Sequence, residues 1–321
     1  MNKNDKILIL GSAGMVGSAI LRNLIGKGYE NIVGTDYRSA GQKFDKVRYR
    51  KVDLMDQAAC HSLFVEEEPD YVFVAAAKVG GIVANSTYRA QFLYDNLLIQ
   101  NNVIHQAYLS KVKKLLFLGS SCIYPKNAPQ PIREEYLLTG PLEYTNEPYA
   151  IAKITGLKMC ENYNLTYGTN FIAAMPTNLY GPNDNYDLQN SHVLPALIRK
   201  FHEAKVSGAP DVTIWGTGTP LREFMHVDDL AAAVIFLMET YDGSKFVNIG
   251  WGKDITIRDL AFLIRDVVGF EGELVFDHSK PDGTPRKLLD VSLLTSLGFT
   301  PSIHIREGIT STYADFQNKH A

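Results

Sequence analysis

Residues 6–17 read KILILGSAGMVG and join a short apolar run to a glycine-rich turn and the start of a helix. Gly11, Gly14 and Gly17 give the spacing G-x-x-G-x-x-G, a relative of the fingerprint with which a strand-turn-helix unit holds a dinucleotide. Met15 and Val16 open the helix, whose N-terminal N–H groups favour an anion such as pyrophosphate. Three glycines alone fit a plain turn equally well, but their place between a strand and a helix favours dinucleotide binding.

Strands and helices alternate along the first 175 residues. Several strand candidates are continuously apolar and β-branched, which is typical of parallel strands covered on both faces. The β-then-α order implies right-handed crossovers, so the sequence predicts an α/β fold with a Rossmann-type doubly wound parallel sheet. The predicted strands span 6–10, 31–35, 47–51, 71–76, 115–119 and 171–175, and the predicted helices span 14–27, 57–67, 88–110 and 147–168.

The regular alternation declines after Pro176, where prolines and glycines separate shorter elements. We expect residues 1–178 to form an NAD(P)-binding domain to which 220–249 returns. Residues 179–219 and 250–321 would then form a smaller C-terminal α/β domain that binds the substrate. No linker divides the halves, so we expect a rigid cleft between them. Further helices are predicted at 193–206, 227–240, 257–268 and 305–318.

The composition excludes several classes of protein. Hydrophobic residues make up 45% and charged residues 21% of the 321, a globular rather than a disordered or fibrous mixture. A net charge of −3 gives no general electrostatic reason to bind nucleic acid or an anionic membrane. No apolar stretch approaches the roughly 20 residues that span a bilayer. Three cysteines without a C-x-x-C pair predict no disulfide framework, no metal site and a reduced, cytoplasmic location.

Acidic residues end the second and third predicted strands, where the adenosine of a dinucleotide would lie. Asp36 follows Gly17 by 19 residues, and an acid there accepts from ribose hydroxyls and favours NAD, whereas a basic residue such as Arg38 holds a 2′-phosphate. Both residues are present, so the residues alone leave the choice between NAD and NADP open. Asp53, followed by Leu54, sits where an adenine contact would fall, and it would equally cap the next helix.

Tyr149 and Lys153 stand four residues apart on a predicted helix and so share one face. An ammonium beside a phenol favours the phenolate, which lets the tyrosine exchange a proton with a carbonyl or alcohol oxygen. The pair alone fits an ordinary surface pair better. However, Ser120 and Ser121 directly follow a strand, at the sheet edge where ligands bind. A serine, a tyrosine and a lysine over a nicotinamide can protonate a carbonyl as hydride arrives, although Ser121 would equally serve only to cap the turn.

Seven stretches carry a resemblance to a known family along most of the chain. On these residues the chain resembles the extended short-chain dehydrogenase/reductase family, and within it the enzymes that epimerise GDP-4-keto-6-deoxy-D-mannose at C3 and C5 and reduce it at C4 to GDP-L-fucose. The stretches are AAAKVGGIVAN (75–85), LLFLGSSCIYPK (115–126), TNEPYAIAKI (145–154), MPTNLYGPNDN (175–185), NSHVLPAL (190–197), WGTGTPLREFMHVDD (215–229) and FDHSKPDGTPRKLLDV (276–291).

The resemblance implies a reductase triad of Ser120, Tyr149 and Lys153 and an epimerase pair of Cys122 and His192. A 4-keto group acidifies the protons at C3 and C5 because the carbanion becomes an enolate, so inversion needs a base on one face and an acid on the other. A thiolate serves as base when nearby positive charge stabilises it, and histidine titrates near neutrality. The residues alone favour an inert buried thiol for Cys122 and a surface position for His192.

The resemblance assigns nucleotide-sugar binding to the second half of the chain. Asn178 resembles a family residue that contacts the sugar. Arg222 and Lys287 are similar to residues that neutralise the GDP pyrophosphate, as suits a guanidinium fork and an ammonium. Trp215 would lie beside guanine or ribose, or would instead be a buried anchor of the small domain. Lys200 is also expected to bind the substrate.

The resemblance implies NADP(H) as the cofactor, with Ala76 and Pro176 beside it and Lys78 reaching the nicotinamide or the sugar. The glycine loop departs from the family pattern because it lacks a basic residue. Asp36 would also repel a 2′-phosphate unless Arg38 shields it, so NAD(H) stays an alternative.

Three functions follow, in order of preference. The first is the bifunctional epimerase and reductase. The second is a C4-reductase of a related GDP-4-keto sugar, such as a 6-deoxy-heptose or a deoxyhexose already epimerised, without productive epimerase activity. The third is a non-catalytic nucleotide-sugar-binding protein, against which the complete Ser-Tyr-Lys set argues. The resemblance also implies a homodimer through the helices at 88–110 and 147–168.

Overall fold

A seven-stranded parallel sheet organises the computed structural model of the chain, which describes residues 1–37, 43–188, 191–280 and 282–320. The chain starts in the middle of the sheet and works outward in both directions, as a doubly wound fold does, and this confirms the predicted fold class. From one edge to the other the strands are β10 (Val247–Ile249), β6 (Phe171–Pro176), β5 (Lys114–Leu118), β4 (Tyr71–Val74), β1 (Ile7–Leu10), β2 (Ile32–Asp36) and β3 (Val47–Lys51).

Helices cover both faces of this sheet. On one face α1 (Met15–Gly26) packs beside α7 (Val227–Thr240). On the other lie α2 (Gln57–Glu67), α4 (Arg89–Leu109) and α5 (Glu147–Tyr167). Every residue of β1 is 0% exposed, which explains why its sequence is apolar without alternation. Burying each such side chain contributes roughly 1.5–3 kcal/mol, so the central strands anchor the fold.

The chain between β4 and α4 contains a short helix that the sequence analysis did not predict, α3 (Ile82–Thr87). It begins after Gly81, whose carbonyl oxygen accepts from the Asn85 side-chain amide at 3.0 Å. Tyr88 has non-helical backbone angles and separates α3 from α4. The predicted helix at 88–110 therefore starts one residue later than expected and is preceded by a helical turn of its own.

Two small sheets and further helices form the rest of the fold around a separate apolar core. The strand β9 belongs to the first small sheet, whereas α7 and β10, which follow it, pack with the large sheet. The first small sheet contains β7 (Asn178–Tyr180), β9 (Leu221–His226), β11 (Asp254–Thr256) and β13 (Arg286–Lys287), and the second pairs β8 (Asp211–Trp215) with β12 (Glu273–Asp277). The helices are α6 (Val193–Ser207), α8 (Ile257–Val268), α9 (Ser292–Ser296) and α10 (Ile305–His320).

Glu223, in β9, is a buried carboxylate where the small sheet meets the end of the large one. It is 0% exposed, and its two oxygens accept from the backbone N–H groups of Gly252 at 2.7 Å and Leu289 at 3.1 Å. A Cβ on Gly250 would lie 2.3 Å from the same carboxylate, so glycine makes room for it. Burial raises the pKa of Glu223, whereas the backbone donors lower it. One side chain thus holds three separate segments together.

Candidate active site at the carboxyl edge of the sheet

The glycine loop after β1 approaches its neighbours too closely for any other residue. Gly11 has a φ of +84°, and a Cβ there would lie 2.8 Å from the backbone of Ala76. A Cβ on Gly17 would lie 2.1 Å from the carbonyl oxygen of Gly11. These two glycines therefore bring the loop and the first turn of α1 close to the strand ends, as the glycine spacing predicts.

The start of α1 fits the pyrophosphate of a dinucleotide. Gly14 is the N-terminal cap and makes no side-chain hydrogen bond, so no capping side chain satisfies the first N–H groups of the helix. Met15 and Val16 form the first turn. The arrangement leaves backbone donors and the positive end of the helix dipole for an anion.

Asp36, at the end of β2, is turned into the glycine loop. Its two carboxylate oxygens accept from the Ala13 N–H at 2.6 Å and from the Ser12 hydroxyl at 2.9 Å. Burial raises the pKa of Asp36, and these two hydrogen bonds lower it. The carboxylate thus stabilises the conformation of the glycine loop through these two hydrogen bonds. Arg38, predicted to shield a 2′-phosphate, lies outside the described residues.

Asp53 and Leu54 follow β3 with contacts inside the protein. Asp53 accepts from the Met55 N–H at 3.0 Å, while the cap of α2 is Asp56, so Asp53 does not cap that helix. Leu54 is buried, and its carbonyl oxygen accepts from the Asn102 side chain at 2.9 Å. Both residues stand near the sheet edge where the sequence predicts adenine.

Ala76, Lys78 and Pro176 lie where β4 and β6 end, at the same edge as the glycine loop. The backbone N–H of Lys78 donates to Asn96 at 3.0 Å, and its ammonium pairs with Asp95 at 2.7 Å. Both the backbone and the side chain of Lys78 are therefore bound to α4. The carboxyl edge of the sheet thus gathers most of the predicted cofactor-binding residues on one side of the fold.

The predicted triad meets at the end of β5. Ser120 caps a short 3-10 turn, and its hydroxyl oxygen accepts from the Cys122 N–H at 3.2 Å. The same side chain is close enough to the Tyr149 phenol to lower its pKa. Lys153 is 4% exposed, donates to the Leu118 carbonyl oxygen at 2.8 Å, and has its nitrogen 5.8 Å from the centre of the Tyr149 ring. Ser120 thus connects the phenol to the turn that carries the cysteine.

The pKa of Tyr149 departs from the expected direction. Burial raises it, the negative charge of Cys122 raises it further, and the hydrogen bond with Ser120 lowers it. Burial also lowers the pKa of Lys153 to about 7. The expectation that Lys153 favours the phenolate is therefore wrong for this arrangement, because desolvation dominates at both groups. Tyr149 stays a neutral phenol at neutral pH, which is the form that can donate a proton.

Cys122 is a half-buried free thiol with two polar neighbours. The Asn146 side-chain amide donates to its sulfur at 3.4 Å, and the Lys287 ammonium lies 3.7 Å from it. Cys122 lines a cavity of about 50 Å³ together with residues that include Glu143 and Lys126. Cys122 is therefore less buried than the residues alone favour. Lys287, expected at a pyrophosphate, contacts the cysteine in this structure.

His192 is the N-terminal cap residue of α6, and its side chain is exposed. The surrounding protein desolvates part of the imidazole and so lowers its pKa, and the positive charge of Lys287 lowers the pKa further. Lys287 is thus electrostatically connected to both residues of the predicted epimerase pair.

The predicted substrate residues lie on the small sheets and α6. Asn178 donates to the Glu223 carbonyl oxygen at 2.8 Å. Arg222 donates to the Leu221 carbonyl oxygen at 2.8 Å, and burial lowers its pKa while the charge of Asp282 raises it. Both side chains are held in place by the protein itself.

Trp215 is 58% exposed, so it is not the buried anchor of the alternative interpretation. Two ammonium groups lie over its ring, that of Lys200 at 5.4 Å and that of Lys280 at 5.5 Å from the centroid. An ammonium over an aromatic face is attracted by the ring, so Trp215 and the two lysines form one exposed cluster.

Sequence reasoning missed Asn146 and Glu143 as parts of the site. Glu143 accepts from the N–H groups of Thr145 at 2.9 Å and Asn146 at 3.3 Å and so orders the turn before α5. The signal was the stretch before Tyr149, in which Asn146 directly precedes the helix α5. Within the described ranges, no group of three histidines, cysteines or carboxylates could hold a metal ion. No described helix has the length and apolar character that crossing a membrane needs.

The chain is similar to known proteins over nearly its whole length. The model of the NAD dependent epimerase/dehydratase family matches residues 7–250. The chain is 57% identical to GDP-L-fucose synthase 1 of Arabidopsis thaliana over 97% of this chain and 93% of that one. It is 53% identical to GDP-L-fucose synthase of Escherichia coli (strain K12), over 97% and 96%. Its fold matches a GDP-mannoheptose C4 reductase from Campylobacter jejuni with NADP bound, with a TM-score of 0.88, 42% identity and 99% of both chains covered.

Proposed function

The chain belongs to the NAD dependent epimerase/dehydratase family, and from this we propose that it converts GDP-4-keto-6-deoxy-D-mannose to GDP-L-fucose. The reaction consists of epimerisation at C3 and C5 and NADPH-dependent reduction at C4. The observation that carries the proposal is the position of Ser120, whose hydroxyl oxygen accepts from the Cys122 N–H and whose side chain lowers the pKa of the Tyr149 phenol. A reductase acid and a candidate epimerase base thus stand side by side, as one bifunctional site requires.

The reductase half rests on a tyrosine that stays protonated. Tyr149 donates its proton to the oxygen on C4, and the Ser120 hydroxyl orients the phenol. Lys153 ties the helix that carries Tyr149 to the end of β5 through the Leu118 carbonyl oxygen. NADPH supplies hydride when bound, and the N-terminus of α1 would hold its pyrophosphate.

The epimerase half uses Cys122 as base and His192 as acid. The sulfur accepts a proton from C3 or C5, and the imidazolium returns one from the opposite face, because a suprafacial return would restore the original configuration. The polar neighbours of Cys122 and the charge of Lys287 beside His192 support this assignment. Between the two inversions, Cys122 gives the proton that it took up to water, and His192 takes a new proton from water.

NADP(H) is the proposed cofactor. Asp36 directs both of its oxygens into the glycine loop, so neither points freely at a ribose to select NAD. The similar C4 reductase was solved with NADP bound. The sugar half of the substrate is proposed to contact Asn178, and the GDP half to contact Lys200, Trp215 and Arg222.

We also propose that the enzyme is a cytoplasmic homodimer. The adjacent helices α4 and α5 carry exposed apolar side chains, among them Tyr94, Leu109 and Ile151, which a partner would cover. All three cysteines are free thiols, as suits a reducing compartment. Light scattering would test the dimer, since a mass near that of a single chain contradicts it.

The test of function is an incubation of purified protein with GDP-4-keto-6-deoxy-D-mannose and NADPH, with NADH in parallel, and identification of the product by NMR. GDP-L-fucose formed faster with NADPH supports the proposal. A product reduced at C4 without inversion at C3 and C5 instead supports a C4-reductase of another GDP-4-keto sugar. That second candidate is favoured by the likeness to the GDP-mannoheptose reductase. Tight ligand binding without any hydride transfer would leave only a binding protein.

A further inference from the structure

Two side chains from distant parts of the chain converge on the Cys122 sulfur. Asn146, just before α5, donates its amide N–H to the sulfur at 3.4 Å. Lys287, in β13 of the small sheet, places its ammonium 3.7 Å from the same atom. The fold therefore positions one neutral donor and one positive charge around a single thiol.

This arrangement favours the anionic form of the sulfur. A neutral thiol gains little from an ammonium, whereas a thiolate gains both a charge interaction and two charge-assisted hydrogen bonds. We propose that Lys287 and Asn146 are positioning residues that hold Cys122 as a thiolate, ready to remove the protons at C3 and C5. The inference deepens the proposed function and rests on it.

The other charged and titratable groups near the sulfur are engaged elsewhere or lie at the edge. Arg286 donates to Asp254 at 2.5 Å, and Lys126 is exposed at the rim of the cavity. Glu143 accepts from the turn that carries Asn146. Burial raises the pKa of Tyr149, and the negative charge of Cys122 adds to that rise, so the phenol stays neutral beside the thiolate. Of these groups, Lys287 is the cation with a direct contact to the sulfur.

The proton balance of the step follows from this arrangement. The C–H bond at C3 or C5 breaks, an S–H bond forms on Cys122, and the electron pair moves to the oxygen on C4. The enolate then takes a proton from His192 as its carbonyl reforms. Desolvation lowers the pKa of the His192 imidazole, and the positive charge of Lys287 lowers it further. The imidazolium therefore gives up its proton more readily. One cation thus contacts the base directly and acts on the acid through its charge.

Asn146 supplies a second observation at the same place. Within the part of the chain that the structure describes, its side-chain oxygen is buried and has no hydrogen-bond partner. A buried amide oxygen without a donor is costly, and a hydroxyl of a bound sugar would satisfy it. Asn146 therefore orients the sulfur with its nitrogen and offers its oxygen to the substrate.

The test measures the alkylation of Cys122 by iodoacetamide as a function of pH. This reagent is neutral, so the loss of a protein charge does not change its attraction to the site. Alkylation of Cys122 is followed by mass spectrometry of its peptide, with Cys122→Ser as the blank, because Cys60 and Cys160 are buried. In Lys287→Met we expect the midpoint of the profile to move to higher pH and the rate at pH 7 to fall roughly ten-fold.

Three variants separate this effect from a general change in structure. Lys287→Arg keeps the charge and should restore most of the alkylation rate. Lys126→Met removes a cation from the rim of the same cavity and should leave the midpoint in place. Asn146→Asp places a carboxylate beside the sulfur and should move the midpoint upward as well. Thermal melting of each variant checks that it folds.

The functional readout is deuterium exchange at C3 and C5 of the substrate in D₂O without reduced cofactor. Lys287→Met should slow this exchange in proportion to its loss of thiolate, and the loss should shrink as the pH is raised. An unchanged alkylation midpoint in both Lys287→Met and Asn146→Asp overturns the inference even if the wild-type protein makes GDP-L-fucose. Absence of exchange by the wild-type protein instead overturns the proposed epimerase function, whatever the alkylation profile shows.

Discussion

The Lys153 ammonium donates to the Leu118 carbonyl oxygen at 2.8 Å, deep inside the protein. Leu118 ends β5, and Ser120 follows it within two residues. The bond therefore locks the helix that carries Tyr149 onto the strand that leads to Ser120. The lysine keeps the geometry of the proton donor instead of acting on the phenol by its charge alone.

This burial predicts a pH-dependent effect of Lys153→Met on stability. The folded pKa is about 7, below the ordinary value of about 10.5 for an unfolded chain. The cost of burying the charged amine is therefore fully present below pH 7, and it is relieved as the pH rises toward about 10.5. We expect the melting temperature of Lys153→Met, relative to wild type, to be higher at pH 6 than at pH 9.

The matched control for that experiment is Lys158→Met on the same helix. Lys158 is 41% exposed and pairs with Glu161, so its removal should shift the melting temperature equally at both pH values. A pH-independent difference between wild type and Lys153→Met would contradict a depressed pKa for Lys153.

Tyr149→Phe should separate the two halves of the reaction. The variant lacks the proton donor to C4, so NADPH oxidation should fall by roughly 100-fold or more. Deuterium exchange at C3 and C5 should continue, because Cys122 and His192 remain. Stopped-flow or steady-state NADPH absorbance and NMR measure the two rates. A Tyr149→Phe enzyme that still reduces at the wild-type rate would remove Tyr149 from its role.

Gly17→Ala should damage the glycine loop, whereas Gly26→Ala on the same helix should not. A Cβ on Gly17 would lie 2.1 Å from the Gly11 carbonyl oxygen, while a Cβ on Gly26 meets nothing within 4 Å. We expect Gly17→Ala to lower the free energy of unfolding by about 3 kcal/mol and to abolish cofactor binding. Gly26→Ala should gain up to about 1 kcal/mol. Urea unfolding measures both, and equal effects of the two substitutions would refute the close approach.

Asp36→Asn tests whether Asp36 selects the cofactor or braces the loop. The two carboxylate oxygens accept one hydrogen bond each, from the Ser12 hydroxyl and the Ala13 N–H. The asparagine side chain has a single acceptor oxygen, so it can replace only one of these two acceptors. We therefore expect the variant to bind NADPH and NADH more weakly by similar factors, as measured by fluorescence titration. Selective improvement for NADPH would show instead that the carboxylate repels the 2′-phosphate.

Local sequence patterns were sufficient for the sheet and most helices. The predicted bounds of β3 and α2 agree with the structure at both ends. The cap of α2 is Asp56, however, and not Asp53, which the sequence analysis offered as an alternative cap. The short helix α3 escaped prediction because it is six residues long and starts from two glycines that read as a loop. Its stability depends on the Asn85 side chain, which a pattern of hydrophobicity does not include.

The site was predicted less completely because its chemistry depends on long-range contacts. Local motifs pointed to Ser120, Tyr149 and Lys153, but the partner of Lys153 is the carbonyl group of Leu118 on the strand β5. The pairing of Lys287 with Cys122 joins residues 165 positions apart, so no spacing rule could reveal it. The direction of the Tyr149 pKa was wrong for the same reason, since burial is a property of the assembled fold.

The buried Glu223 carboxylate also bears on how this fold can be recombined. It accepts from Gly252 and Leu289, and its own backbone carbonyl oxygen accepts from Asn178. A chimera that replaced β9 alone by a strand without this carboxylate would leave the backbone N–H groups of Gly252 and Leu289 without their acceptor. The segments around residues 178, 223, 252 and 289 must therefore be inherited together, as a single unit of exchange that is scattered along the chain.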